Sequence, residues 1–135
     1  MITAVDANVL IDLGAGDLDR STGAARALER FGAAGDLVVC DVVVAELARG
    51  FDPAKDPAEW VRWVGIAYDP IREATAVEAG RLQARQDARV ARRARRPLAD
   101  FLIGAHARHQ ADRLLTRDRG FYRDYFRGLT LVEPE

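Results

Sequence analysis

The sequence is poor in residues that cross-link or anchor a chain. Cys40 is the only cysteine, which excludes an internal disulfide and a cysteine-based zinc site, and its apolar surroundings predict a buried, inert thiol. No apolar run approaches the roughly 20 residues of a membrane span. Residues 1–13 contain two acids and lack a basic start, so we expect no signal peptide and a cytoplasmic location.

Lysine is almost absent, because Lys55 is the only one and all the other basic side chains except two histidines are arginines. The net charge is −1, so the whole molecule is not a basic nucleic-acid binder. Arginine forks match phosphate oxygens two at a time, but a GC-rich genome explains the overall arginine bias better. Local clusters therefore have to be judged separately.

The remaining composition is that of one ordinary globular domain over residues 1–135, with no repeat or linker. Apolar runs predict strands at 2–6, 37–40, 66–68, 113–116 and 129–132. Helical patterns cover 7–13, 22–33, 42–49, 59–64, 72–95, 98–110 and 118–125. The long, charged segment 72–95 has room for a break, and Trp60 and Trp63 are expected on one helix face. Strands alternating with helices predict an α/β fold with a mostly parallel sheet.

Two aspartates stand where strands end, Asp6 after the first strand and Asp118 after the fourth. In open parallel sheets, ligands bind in the crevice beyond the carboxyl ends of the strands. If these two strands are neighbours, the two carboxylates face one crevice. Taken singly, each acid is better explained as a helix cap or turn residue.

Glu46 lies in an otherwise apolar helix, within residues 42–48. A capping box with Asp41 would need the acid at the position of Val44, two residues before Glu46. An acid in so apolar a run is rarely buried without a partner. Two interpretations are equally open: a functional carboxylate, or an outward side chain paired with Arg49.

Asp100 follows Pro97 in the first turn of the next apolar helix. Favourable interaction with the helix dipole would explain it without any function. A functional role requires that this helix begins near Asp6 and Asp118.

The four acids are more informative as a set. An α/β fold gathers strand ends and the first turns of the following helices along one edge. Clustered carboxylates repel one another and take up protons unless a cation joins them, and hard oxygen ligands favour Mg²⁺ or Mn²⁺. Such an ion activates water and neutralises charge on a phosphoryl oxygen. The set therefore indicates metal-assisted phosphodiester hydrolysis.

The segments around these acids resemble PIN domains, and in particular VapC-type toxins of toxin–antitoxin pairs. The resemblance is carried by residues 5–12, by Glu46 in its apolar helix, by residues 98–107 and by residues 114–118. It extends over nearly the whole chain. No single motif is specific, whereas the ordered set is.

The resemblance implies a three-layer α/β/α domain with a mostly parallel sheet of about five strands. It implies an endoribonuclease whose catalytic and metal-binding residues are Asp6, Glu46, Asp100 and Asp118, with Mg²⁺ or Mn²⁺ as cofactor. It also implies an RNA substrate, a cognate antitoxin of a type II system, and a homodimer, with the early helices forming the antitoxin groove and taking part in dimerisation. Residues 18–31 and the Trp60–Trp63 helix carry apolar surface, and both could instead be core.

Four further residues are implied around the pocket. Asn8 and Thr116 would orient carboxylates or contact metal-bound water, although Asn8 as a helix N-cap and Thr116 as a simple strand end remain open. Within the arginine run of residues 81–96, Arg95 and Arg96 are the best candidates for contact with substrate phosphate. The others are better explained as a solvated helix face.

One departure from the family pattern is Gly120, where relatives often carry a further acid, and it weakens the case for a second strongly held metal. His106 is expected to be packed and His109 exposed, and neither is assigned a role. A haloacid-dehalogenase-type phosphatase is discounted, because it needs a second aspartate where Asn8 stands. The open alternative is a non-catalytic PIN-like module that binds RNA or protein. Convergence of the four carboxyl groups distinguishes the two.

Overall fold

A five-stranded parallel sheet organises the chain, which a computed structural model describes over residues 1–14 and 16–134. The strands are β1 (Ile2–Val5), β2 (Asp36–Val39), β3 (Ala67–Tyr68), β4 (Arg113–Leu115) and β5 (Thr130–Val132). The helices are α1 (Ala7–Leu13), α2 (Leu18–Ala33), α3 (Asp41–Gly50), α4 (Pro57–Val64), α5 (Glu73–Arg89), α6 (Leu98–Gln110) and α7 (Arg119–Tyr125), with a 3-10 turn at Arg92–Ala94. The predicted α/β class and parallel sheet are confirmed.

The strand order is β3-β2-β1-β4-β5, so the chain reverses its direction across the sheet after β3. Right-handed crossovers then place the helices of the two halves on opposite faces, which gives the expected three layers. β1 and β4 are hydrogen-bonded neighbours, with Thr3 opposite Arg113 and Val5 opposite Leu115. The first and fourth strands therefore flank the switch point, as the crevice hypothesis requires.

Two helices differ from their predicted bounds by more than two residues. α2 begins at Leu18 rather than at residue 22, because the Asp17 carboxylate accepts the backbone N–H of Asp19 (3.0 Å) and caps the helix earlier. The long charged helix is broken after Arg89. The break places a short connection, which contains the 3-10 turn, directly before α6.

Trp60 and Trp63 lie three residues apart on α4, about 60° apart around the helix, but they differ in burial. Trp60 is partly buried and its ring lies 5.7 Å from that of Phe51, whereas Trp63 is 82% exposed. The buried residue of α4 is Val61. Trp63 is two residues further on, about 200° around the helix from Val61, and therefore faces away from the core.

An aromatic cluster fixes α7 against α6. The buried Phe101 ring meets the edges of Phe121 (5.1 Å between centroids) and Tyr125 (5.3 Å). Gly104 lets Phe126 pack closely, because a Cβ at this glycine would lie 2.3 Å from the Phe126 ring. This packing sets the distance between the start of α6 and the start of α7, which carry the third and fourth acids.

Cys40 lies in the core, as its apolar surroundings predict. It is a free thiol, and burial raises its pKa to about 11, as expected of an inert side chain. Across residues 1–14 and 16–134, every helix is too short or too polar to cross a bilayer.

Candidate active site

Asp6 and Asp118 lie at the same edge of the sheet, after the neighbouring strands β1 and β4. The backbone N–H of Asp6 continues the ladder by donating to the Leu115 carbonyl at 3.0 Å. Both acids occupy N-cap positions, of α1 and α7. The two acids therefore stand at helix N-termini, but their carboxylates supply no capping hydrogen bond.

Three side chains donate hydrogen bonds to one oxygen of the buried Asp6 carboxylate. Its Oδ2 accepts from the Thr116 hydroxyl (2.8 Å), the Tyr122 hydroxyl (3.2 Å) and the Asn8 amide (3.3 Å). Thr116 Oγ1 also accepts the backbone N–H of Asp118 at 2.9 Å. Thr116 thus does more than end a strand, and Asn8 lies inside α1 rather than at its N-cap.

Tyr122 is a member of the site that sequence reasoning missed. It follows Asp118 by one helical turn in α7, which places both on one side of the helix. A buried tyrosine hydroxyl needs a partner, and this one finds Asp6. Burial, together with the nearby negative charges of Asp6 and Asp100, raises the pKa of Tyr122, so the phenol remains protonated and donates.

An ion pair between the buried Asp12 and the partly exposed Arg117 was also missed. Asp12 is 4% exposed, and the Arg117 guanidinium contacts both of its carboxylate oxygens, one of them through Nη2 at 3.2 Å. The backbone N–H of Arg117 donates to the Asn8 side chain at 3.3 Å. These contacts hold the loop that carries Asp118. The sequence signal for this pair is Asp12 itself, an acid in the apolar helix α1, just as Glu46 is an acid in the apolar helix α3.

Arg96 bridges Asp100 and Asp118. Its Nη1 donates to Asp118 Oδ2 at 2.6 Å and to Asp100 Oδ2 at 3.2 Å, and its Nη2 donates to Asp118 Oδ1 at 3.2 Å. The guanidinium lies 4.8 Å from the centre of the Phe121 ring. The buried Gln86 side chain holds the Arg96 backbone by accepting its N–H (2.7 Å) and donating to its carbonyl (3.0 Å).

The Arg95 side chain points away from the acids, toward the C-terminal end of α5. Its guanidinium donates to the backbone carbonyls of Asp87 (2.8 Å) and Val90 (3.1 Å). It therefore caps the C-terminus of α5. Of the two predicted phosphate-binding arginines, the structure brings Arg96 to the acids and Arg95 to the end of a helix.

Glu46 is half-buried on α3 and faces the other acids. Burial raises its pKa, and the charges of Asp6 and Asp100 raise it further, against a smaller opposing effect of Arg49. Among the described side chains, no group donates a hydrogen bond to Glu46, and Arg49 does not approach within ion-pair distance. The outward ion pair is therefore not formed.

The carboxyl groups influence one another electrostatically. Burial raises the pKa of Asp6, partly offset by its hydrogen bonds, and the charge of Asp100 adds to the rise. Burial also raises the pKa of Asp100, with Arg96 opposing and the Asp118 charge adding. Together with Glu46, the four acids form one linked set in which negative charge exceeds its compensation.

The four carboxylates are the kind of ligand that a hard cation prefers, but they are not arranged as a complete metal site. In the described part of the chain, no three carboxylate, imidazole or thiol groups stand in position to hold a metal ion. Two contacts account for this: Arg96 occupies the space between Asp100 and Asp118, and Oδ2 of Asp6 accepts hydrogen bonds from neighbouring side chains. Carboxylate oxygens with excess charge fit Mg²⁺ or Mn²⁺.

The two histidines contact other acids. His106 is buried, as expected, with Nε2 at 3.0 Å from Asp69 Oδ2. His109 is exposed, as expected, and pairs with Glu78.

Comparison with known proteins identifies the family of the chain. The PIN domain family matches residues 3–126 of the chain. Comparison with curated protein sequences gives no significant match.

Several solved structures share the fold. VapBC2 from Rickettsia felis, bound to a DNA fragment from its promoter, superposes with a TM-score of 0.71 at 16% identity, covering 100% of both chains. A toxin–antitoxin complex from Klebsiella pneumoniae gives 0.66 at 22% identity, with 98% of each chain covered. VapC20 of Mycobacterium tuberculosis, a toxin that cleaves the sarcin–ricin loop, gives 0.63 at 17% identity, covering 90% of this chain and 94% of that one. The chain belongs to the PIN domain family and has the fold of VapC-type toxins.

Proposed function

We propose that this chain is a divalent-metal-dependent endoribonuclease and the toxin of a type II toxin–antitoxin pair. The observation that carries the proposal is the linked set of Asp6, Glu46, Asp100 and Asp118 at the switch point of the sheet. Buried, mutually repelling carboxylates destabilise a fold, and a role in binding a cation accounts for them.

The four acids would together hold Mg²⁺ or Mn²⁺. When bound, such an ion activates a water and neutralises charge on the phosphoryl group. Gly120 stands where relatives often have a further acid, which favours one strongly held ion over two.

The chain's own residues position these ligands. Tyr122, Thr116 and Asn8 fix the Asp6 carboxylate through Oδ2. Arg96 is planar and able to bind two phosphate oxygens at once, so it would exchange the carboxylates for the substrate when a metal and RNA are present. Asn8 and Thr116 thus act by orienting Asp6, and Arg96 by contacting phosphate. We keep Arg95 as a weaker candidate for substrate contact, since its guanidinium is engaged at the end of α5.

An apolar cleft beside Glu46 fits an antitoxin segment. It measures about 500 Å³ and is lined by Leu10, Ile11, Phe51 and Trp60, with Glu46 at its edge. A partner helix could bury its apolar face there and direct an arginine toward the acids. The Arg96 bridge demonstrates that a guanidinium satisfies two of these carboxylates, so inhibition by a partner's arginine is chemically reasonable. The toxin–antitoxin complexes among the solved structures support this partner.

We also propose a homodimer and a cytoplasmic location. Trp63 (82% exposed) and Tyr68 (54% exposed) leave apolar surface uncovered on α4 and on the edge strand β3, and a second copy would cover it.

The test is cleavage of a panel of RNAs by the wild type with Mg²⁺ or Mn²⁺, and again with EDTA. Asp6→Asn and Glu46→Gln should each reduce cleavage by at least about a hundredfold, while Asp19→Asn, which changes an exposed acid on α2, should not. Equal cleavage by wild type and Asp6→Asn would place the activity elsewhere. Binding of RNA without any cleavage would favour the alternative, a non-catalytic PIN-like module that binds RNA or protein.

A further inference from the structure

Two adjoining clefts lie between α5 and the α7 region, outside the acidic pocket. Their volumes are about 820 Å³ and about 670 Å³. Both are lined by Arg89, Asp124, Tyr125 and Arg127, so they form one continuous channel, which we call the arginine groove.

The lining of the arginine groove is strongly cationic. The larger cleft carries Arg89, Arg119, Arg123 and Arg127, and the smaller one adds Arg81, Arg85 and Arg108. The acids of the lining are Asp124 and Glu78. Since the chain has a net charge of −1, this excess of positive charge belongs to one face and is balanced by acids elsewhere.

Several of these arginines have no partner among residues 1–14 and 16–134. Arg119 pairs with Glu133 (2.8 Å) and Arg108 with Glu78 (3.4 Å). In contrast, Arg81, Arg85, Arg89 and Arg127 make no ion pair or side-chain hydrogen bond with any described residue. Three of them follow one another at four-residue spacing along α5. Like charges at this spacing destabilise a helix slightly, and a bound anion would remove that repulsion.

The two helices that line the groove, α5 and α7, both lead to the acidic pocket. α7 begins directly after Asp118 and leads to Tyr125, about 10 Å away along the helix. On the other wall, the α5 residue Gln86, between Arg85 and Arg89, holds the backbone of Arg96. An anion in the groove is therefore one or two helical turns from the carboxylates.

We propose that the arginine groove binds the sugar–phosphate backbone of single-stranded RNA and leads it to the acidic pocket, an inference that rests on the proposed function. The acidic pocket repels a polyanion, so the RNA must be held by cations close by. Four unpaired guanidinium groups in a channel provide such a path. Tyr125, on the lining of both clefts, offers an aromatic side chain to an unstacked base. Contacts of this kind do not read sequence, so an RNA of arbitrary sequence is a valid probe.

The experiment measures binding of a short fluorescein-labelled single-stranded RNA of mixed sequence by anisotropy, over a series of salt concentrations. The full chain is used with Asp6→Asn to prevent cleavage. In this background Arg85→Glu/Arg89→Glu is compared with Arg62→Glu, which reverses an exposed arginine on α4 outside the groove. The neutral pair Arg85→Gln/Arg89→Gln is included so that loss of charge is measured apart from its reversal. A thermal unfolding curve shows that each variant is folded.

The groove predicts that Arg85→Glu/Arg89→Glu weakens binding by about tenfold or more, with the neutral pair in between and Arg62→Glu unchanged. The slope of log K against log salt should fall in magnitude by about 1.4 for two lost phosphate contacts. Equal affinity of the groove variants and Arg62→Glu would overturn the proposal. So would stronger competition by poly-glutamate than by unlabelled RNA, which would identify an acidic protein segment as the ligand.

An RNA cleavage assay distinguishes failure of the groove proposal from failure of the proposed nuclease function. If the wild type cleaves RNA and Arg85→Glu/Arg89→Glu cleaves equally well, the nuclease assignment stands and the groove is wrong. If the groove variants lose RNA binding but the wild type never cleaves with Mg²⁺ or Mn²⁺, the groove stands and the nuclease assignment fails.

Discussion

Arg96 and Asp118 are joined by two hydrogen bonds, from Nη1 at 2.6 Å and from Nη2 at 3.2 Å, while the same Nη1 reaches Asp100. The pairing with Asp118 raises the pKa of Arg96, so the guanidinium stays charged. The arginine thus serves as the counter-ion of half the acidic set. A metal ion that binds both Asp100 and Asp118 has to displace it.

Replacement of Arg96 by glutamine should therefore strengthen metal binding. Arg96, Asp100 and Asp118 are partly exposed, so their ion pairs are screened and contribute about 1 kcal/mol. Loss of these pairs should lower the Mn²⁺ dissociation constant about fivefold. Isothermal titration of Mn²⁺ into the protein at fixed pH and salt measures this directly. Arg96→Lys keeps the charge but loses the paired geometry, and should lie between the two. Weaker Mn²⁺ binding by Arg96→Gln than by wild type would contradict the competition.

The order of strands and acids along the chain was enough to predict that Asp6 and Asp118 lie at one edge of the sheet. Asp6 and Asp118 follow strands, and parallel strands end at one edge whatever the details of packing. The sequence did not predict which side chain forms a hydrogen bond with each acid. Tyr122 reaches Asp6 only because α7 packs against α6 through buried aromatic rings. The choice between Arg95 and Arg96 depends on where α5 breaks, which the uniform charge of the segment conceals.

Tyr122→Phe tests whether that hydroxyl positions Asp6. Removing it leaves Asp6 with Thr116 and Asn8, so the carboxylate remains but its orientation is less restricted. We expect RNA cleavage to fall by about 10- to 100-fold, mainly in kcat, with the fold retained. Tyr68→Phe, at an exposed tyrosine, is the matched control. If Tyr122→Phe cleaved at the wild-type rate, the hydroxyl would only fill space.

The Asp12–Arg117 pair should respond differently to removal of each partner. Arg117→Ala leaves the buried Asp12 carboxylate without compensation and should lower the free energy of unfolding by about 3 kcal/mol. Asp12→Asn leaves a partly exposed arginine that turns to water, so its cost should be smaller, about 1 kcal/mol. Urea unfolding of both variants measures the difference. Equal losses would show that Asp12 is hydrated or otherwise satisfied.

His106 should make stability depend on pH. Burial lowers its pKa, against the opposing effects of Asp69 and Asp41, so between the folded and unfolded pKa values the unfolded chain binds more protons. Stability from this group is therefore present above the unfolded value of about 6.5 and is lost as the pH falls below it. The other carboxyls also titrate, so the quantity to measure is the difference in urea midpoint between wild type and His106→Gln. That difference should shrink from about pH 7.5 to about pH 5 as the wild type loses its advantage. A constant difference across this range would mean that His106 titrates alike in both states.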